Sequence, residues 1–110
     1  MKFVVLYHAP SSANEQIAKA TPEQMKAGMD GWMTWAKKAG NAVVDLGMPL
    51  GNGKKLDASG ENDSAATITG YSILQANSAE VVTELLKSHP HLRMQGFSIE
   101  VFEGLSMPGM

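Results

Sequence analysis

The run 67-TITGYSILQANSAEVVTELLKSHPHLRMQGFSIEVF-102 decides the fold. Residues 67–76 are rich in β-branched and aromatic side chains, the composition of a strand. Ser78 caps a helix over 79–88, in which Val81, Val82, Leu85 and Leu86 recur with the spacing of one buried face. Pro90 stops that helix. FSIEVF at 97–102 alternates apolar and polar residues until its end, as a half-buried strand does. The run is one strand–helix–strand unit.

The first half of the chain repeats that order. KFVVLYH at 2–8 reads as a strand that stops at Ala9-Pro10, and SSANEQIAKA at 11–20 allows a short helical turn. Thr21-Pro22-Glu23-Gln24 opens a helix, with Thr21 as cap, Pro22 at the first position and Gln24 completing a capping box. Met25, Met29, Trp32, Ala36 and Ala39 form its expected buried face. Lys37 and Lys38 suit the negative end of the dipole, and Gly40 ends it. Gly28 and Gly31 mark places of close packing, and Trp32 and Trp35 flank opposite sides of the helix. AVVDLGM at 42–48 is a second strand, ending at Pro49. Residues 50–66 read as a long polar, glycine-rich loop, of the kind that is usually functional or mobile, and 105–110 as a short tail.

The order β-α-β-β-α-β predicts an α+β, ferredoxin-like sandwich over 1–110 as one domain, a four-stranded antiparallel sheet with two helices on one face. Strand one then lies beside strand four. The end of strand one, His8, shares an end of the sheet with His89, His91 and the 50–66 loop. Strand one is apolar on both faces, with Phe3, Val5 and Tyr7 on one and Val4 and Leu6 on the other. Two layers cover only one face, so the other calls for a partner sheet, most simply a second copy of the chain. Tyr71, Ile73, Gln75, Val43 and Asp45 are expected on that open face. A pocket there would be apolar with a few polar groups, the usual composition of a small-molecule site.

Composition removes several classes. The formal net charge of −2 gives no electrostatic reason for nucleic acid or an anionic membrane as partner. With no cysteine, disulfides, thiolate metal sites and cysteine nucleophiles are excluded. The longest apolar runs are far too short for a membrane span, so a soluble cytoplasmic protein is expected. GNGKK at 51–55 lacks the phosphate-loop pattern and reads as a flexible hairpin loop, and there is no Ser-His-Asp motif or dinucleotide fingerprint. No cofactor is called for, and no metal site, because the i, i+2 pair His89 and His91 lacks further ligands at a suitable spacing.

The run 70–103 resembles the second half of the YCII-related proteins, including their DGPF-domain branch. The matches are Gly70-Tyr71, the helix starting at Ser78, His89-Pro90-His91-Leu92 and Ser98-Ile99-Glu100-Val101. The first half agrees more loosely, through the Thr-Pro-Glu helix start, Gly40 and Gly47-Met48-Pro49. The resemblance implies a homodimer of the dimeric α/β barrel group with a pocket near its interface. YCII-type members often carry a histidine on the first helix, paired with an aspartate; the matching position here is Met29. The DGPF tetrapeptide is also missing, with Asp57-Ala58-Ser59-Gly60 roughly in its place. The family's dyad is therefore not carried over.

The candidate catalytic residues are His8, which ends a strand and can face a pocket, His91, and Asp45, a carboxylate in an apolar strand that needs a partner. His89 reads as a helix terminator. Tyr71, Ile73 and Trp32 are the candidate substrate-binding residues. The expected function is binding of a small, partly apolar organic molecule, with cofactor-independent acid/base catalysis by His8 or His91, oriented by Asp45. The alternative is a non-catalytic ligand-binding or protein-interaction module.

Overall fold

In the computed structural model, which describes residues 1–109, strand β1 (Lys2–His8) buries alternate side chains: Phe3, Val5 and Tyr7 are almost wholly enclosed. Met110, the last residue of the expected tail, lies outside the described residues. Two helices follow, α1 (Ala13–Lys19) and α2 (Pro22–Ala39), then β2 (Val43–Asp45). A hairpin, β3 (Lys54–Asp57) and β4 (Gly60–Asp63), precedes β5 (Ile68–Gln75), α3 (Ala79–Leu86), a 3-10 turn over Pro90–Arg93, and β6 (Ser98–Glu103). The main sheet has the order β2-β5-β1-β6, every neighbouring pair antiparallel, and the hairpin is a separate two-stranded sheet. This is the ferredoxin-like α+β arrangement, with strand one beside the last strand as the topology requires.

Local chemistry explains the helix starts. Thr21 Oγ1 accepts from the Gln24 N–H, while Gln24 Oε1 accepts from the Thr21 N–H, a complete capping box. Ser78 caps α3 through the Val81 N–H, and Ser12 caps α1 through the Glu15 N–H. The helices α2 and α3 cover one sheet face, where Trp35, Val82 and Leu86 meet Phe3, Val5, Tyr7 and Leu74.

Several expectations are corrected. The buried stripe of α2 is Trp32, Trp35, Ala36 and Ala39, whereas Met25 and Met29 are exposed, because only the second half of the helix lies over the sheet. Trp32 and Trp35, three residues apart, share one face rather than opposing each other, and Trp35 Nε1 donates to the Leu85 carbonyl. Val81 is exposed on α3. Gly31 does sit close to Pro90, but a side chain at Gly28 would meet open space. Residues 50–66 are not simply a loop, since they contain the β3–β4 hairpin, and the short helical turn expected within 11–20 is the seven-residue helix α1. Val43 packs with the helix-side core, not on the open face.

Candidate functional site

The sheet face opposite α2 and α3 carries the other set of alternate residues. Cross-strand register puts Leu6 against Tyr71 on one side and Glu100 on the other, and Val4 between Ile73 and Phe102. These form an apolar strip: Leu6, Tyr71 and Ile73 are half-buried, while Val4 and Phe102 are exposed. Asp45 pairs with Ile73 at the β2 edge of the same face.

His8 stands at one end of the strip, and a bulge sets its surroundings. The register of β1 against β5 runs Tyr7 to Gly70 and then His8 to Ile68, leaving Thr69 as an extra residue. The Ala9 N–H then bonds the Thr67 carbonyl. This slip brings the Thr67 hydroxyl to 2.7 Å from His8 Nδ1. From the other neighbouring strand, Glu100 Oε1 approaches His8 Nε2 to 2.6 Å. The contact is close and coulombic but out of line for an N–H···O bond, so Nε2 has no aligned hydrogen-bond partner. His8 is largely enclosed, while Glu100 remains about half exposed and free to turn.

Asp45 is engaged elsewhere. Its Oδ1 accepts from the Gly47 N–H at 2.9 Å and its Oδ2 from the Tyr71 hydroxyl at 3.1 Å. The Asp45 carboxylate raises the pKa of Tyr71 by accepting its proton in a hydrogen bond. The acidic neighbour of His8 is thus Glu100, with β5 standing between β1 and β2. Alternation in FSIEVF already puts Glu100 on one face with Ser98 and Phe102, so this pairing was open to deduction once strand four lay beside strand one.

The other two histidines lie on the helix side. His91 is buried, its ring edge-on to Phe97, and Nε2 donates to the His8 backbone oxygen at 2.8 Å. Burial lowers its pKa, opposed by backbone hydrogen bonds to His8 and Ser98. His89 is 1% exposed and its Nδ1 accepts from the His91 N–H, capping the 3-10 turn. Its proton must therefore sit on Nε2, which has no hydrogen-bond partner and lies among the rings of Tyr7, Trp32 and Trp35. Burial pushes the His89 pKa down to about 4. Trp32 packs edge-on against Tyr7 in this cluster, away from the face that carries Tyr71 and Ile73. The structure thus brings His8, Tyr71, Ile73 and Asp45 to the open face and keeps His91 and Trp32 behind it.

Beside the end of β1 is a cleft of about 830 Å³, walled by residues 9–12 and 14, by the chain entering and leaving the hairpin, and by Thr67 to Thr69. Its polar lining includes Ser11, Asn14, Asn52 and Thr67, with Lys54 and Asp63 paired at 2.7 Å. Among the described residues, no group of three or more His, Asp or Glu side chains is placed to hold a metal ion, and no helix is long and apolar enough to cross a membrane.

No family model matches the chain, and no curated protein matches it by sequence. Among solved structures it resembles the 5-chloro-2-hydroxyhydroquinone dehydrochlorinase TftG from Burkholderia phenoliruptrix AC1100, in complex with 2,5-dihydroxybenzoquinone. The TM-score is 0.54 at 17% identity, over 96% of this chain and 94% of that one. At this identity the likeness establishes the fold.

Proposed function

We propose that the chain is a cytoplasmic, YCII-like homodimer of the dimeric α/β barrel type that binds a small, partly apolar organic molecule on its open sheet face. The observation that carries this reading is the strip of Val4, Leu6, Tyr71, Ile73 and Phe102, bare of helices and flanked by the His8–Glu100 and Tyr71–Asp45 pairs. An apolar wall with a few placed polar groups suits a flat organic ring bearing hydroxyl groups. The neighbour's complex with 2,5-dihydroxybenzoquinone makes such rings the first ligand class to test. A second copy closing over the strip would exclude water and strengthen the polar contacts.

The chemistry within reach is proton transfer without a cofactor. His8 and Glu100 form the acid/base pair at one end of the strip, and His91 fixes the backbone beneath His8. Tyr71 and Ile73 face the ligand, and Asp45 orients the Tyr71 hydroxyl. Titrating the protein with 2,5-dihydroxybenzoquinone should raise its melting midpoint by mass action. Leu6→Arg should abolish that shift, whereas His8→Ala should keep binding and lose turnover of a hydroxylated ring. No midpoint shift with a panel of hydroxylated quinones and hydroquinones, or an undiminished shift in Leu6→Arg, would sink the proposal.

A further inference from the structure

His8 lies between a carboxylate and a hydroxyl, and that arrangement points to a second chemistry. The negative charge of Glu100, 2.6 Å from Nε2 though out of line for a hydrogen bond, favours the neutral His8 tautomer that carries its proton on Nε2. Nδ1 is then an acceptor, and the group 2.7 Å from it is Thr67 Oγ1. In that tautomer the Thr67 hydroxyl donates to Nδ1. Carboxylate, imidazole and hydroxyl therefore stand in the order that activates an oxygen nucleophile. The three come from residues 8, 67 and 100, so no linear motif announces them. The bulge at Thr69 is what brings the hydroxyl to the ring.

We propose that Thr67 Oγ1 is an acyl-accepting nucleophile, with His8 as its general base and Glu100 orienting His8, and that the adjoining cleft takes small, neutral acyl esters. Thr67 is exposed and forms part of the cleft wall. The neighbouring Ser11, Asn14 and Asn52 are neutral hydrogen-bonding groups, and the charges of Lys54 and Asp63 cancel in their own pair. In the first step Oγ1 attacks the ester carbonyl carbon while its proton passes to His8 Nδ1. The bond from that carbon to the alcohol oxygen breaks, and the departing oxygen takes the proton from Nδ1. The products are a Thr67 acyl ester and a free alcohol. Water then attacks the acyl carbon, giving its proton to His8 Nδ1, which returns it to Thr67 Oγ1 as the carboxylic acid leaves. No oxidant or reductant enters.

This activity stands on the Thr67 contact and the cleft, and shares only the His8–Glu100 pair with ring binding. The test is incubation of the full chain with p-nitrophenyl acetate, reading nitrophenolate release and intact mass. A burst approaching one equivalent is expected, together with one acetyl group that peptide mapping assigns to Thr67. Thr67→Val preserves the shape of an exposed residue and should lose both burst and adduct, while Thr67→Ser should keep them. His8→Gln should slow acylation about a hundredfold or more, the usual scale of a lost general base. No burst, or a burst and adduct unchanged in Thr67→Val of wild-type circular dichroism, would overturn the proposal. The quinone-induced midpoint shift is read in parallel on the wild-type chain, so failure of one reading does not imply failure of the other.

Discussion

Ser72 Oγ lies 2.6 Å from the Leu46 carbonyl and 2.8 Å from the Tyr7 hydroxyl. A serine has one proton and a carbonyl only accepts, so Ser72 donates to Leu46 and accepts from Tyr7. Burial pushes Tyr7 up to about 12, against the pull of the Ser72 bond. Tyr7→Phe should cost about 1 kcal/mol, whereas Ser72→Ala strands the buried Tyr7 hydroxyl and the half-buried Leu46 carbonyl and should cost about 1–3 kcal/mol. Urea unfolding of both single variants and the double should show a combined loss smaller than the sum. His89 yields a pH prediction. Its pKa falls from 6.5 in the unfolded chain to about 4 in the fold, so the unfolded state binds more protons between those values. Stability should be full above about pH 6.5 and decline towards pH 4, by up to about 3 kcal/mol, with the depressed His91 acting in the same direction. The surrounding Tyr7, Trp32, Trp35 and His91 offer no carboxylate to offset this, and Arg93 adds charge of the same sign. His89→Asn keeps a capping oxygen for the His91 N–H and should flatten the slope in urea melts taken from pH 7 to pH 4. At this scale the sequence marked His8 and Asp45 as polar groups at strand positions but not what they contact. Glu100 and Thr67 reach His8 only through strand register and one bulge.

Elements differ in how tightly the fold holds them. Gly47 has φ +84°, and a Cβ there would lie 1.6 Å from the Tyr71 carbonyl oxygen. Gly47→Ala should therefore destabilise by about 2 kcal/mol or more, because both backbone strain and a backbone clash must be relieved. The same turn leads to the Pro49–Gly70 bridge, so the β2 edge and the Tyr71–Asp45 pair should loosen together. Amide exchange along Tyr71 to Leu74 would report it. The β3–β4 hairpin is the opposite case: all eight of its strand residues are exposed, and its Lys54–Asp63 pair lies in solvent. Such a hairpin is marginal alone, so replacing residues 54–63 with a short Gly-Ser link should leave the melting midpoint nearly unchanged. Strands and caps were legible because alternation and capping chemistry are local. A flexible hairpin loop was legible at 51–55, but its two strands were not, since they alternate no core face, and neither was the overhang of α2. Helical spacing alone marks Met25 and Met29 as apolar without telling where the sheet ends.

The whole molecule is a slab about 20 Å thick and 45 by 44 Å across, with a radius of gyration of 15.4 Å. A chain of this length packed evenly about one core would have a radius near 13 Å. The excess follows from two layers with one sheet face bare and a hairpin standing off the main sheet. Double-sided apolarity in KFVVLYH was the legible signal for that bare face, because a strand records both of its surroundings in alternate residues. A second copy set face to face would bury Val4, Leu6, Ile73 and Phe102, and light scattering at micromolar concentration should then give twice the chain mass. Leu6→Arg sets a charge in the middle of the strip and should yield a folded monomer, since Leu6 lies outside the helix-side core. Val5→Arg, one residue away but fully enclosed, should unfold the chain instead. This contrast separates loss of an interface from loss of a fold. A wild-type chain that scatters as a monomer at tens of micromolar, or a Leu6→Arg variant that stays dimeric, would remove the paired-sheet assembly and with it the closed apolar pocket.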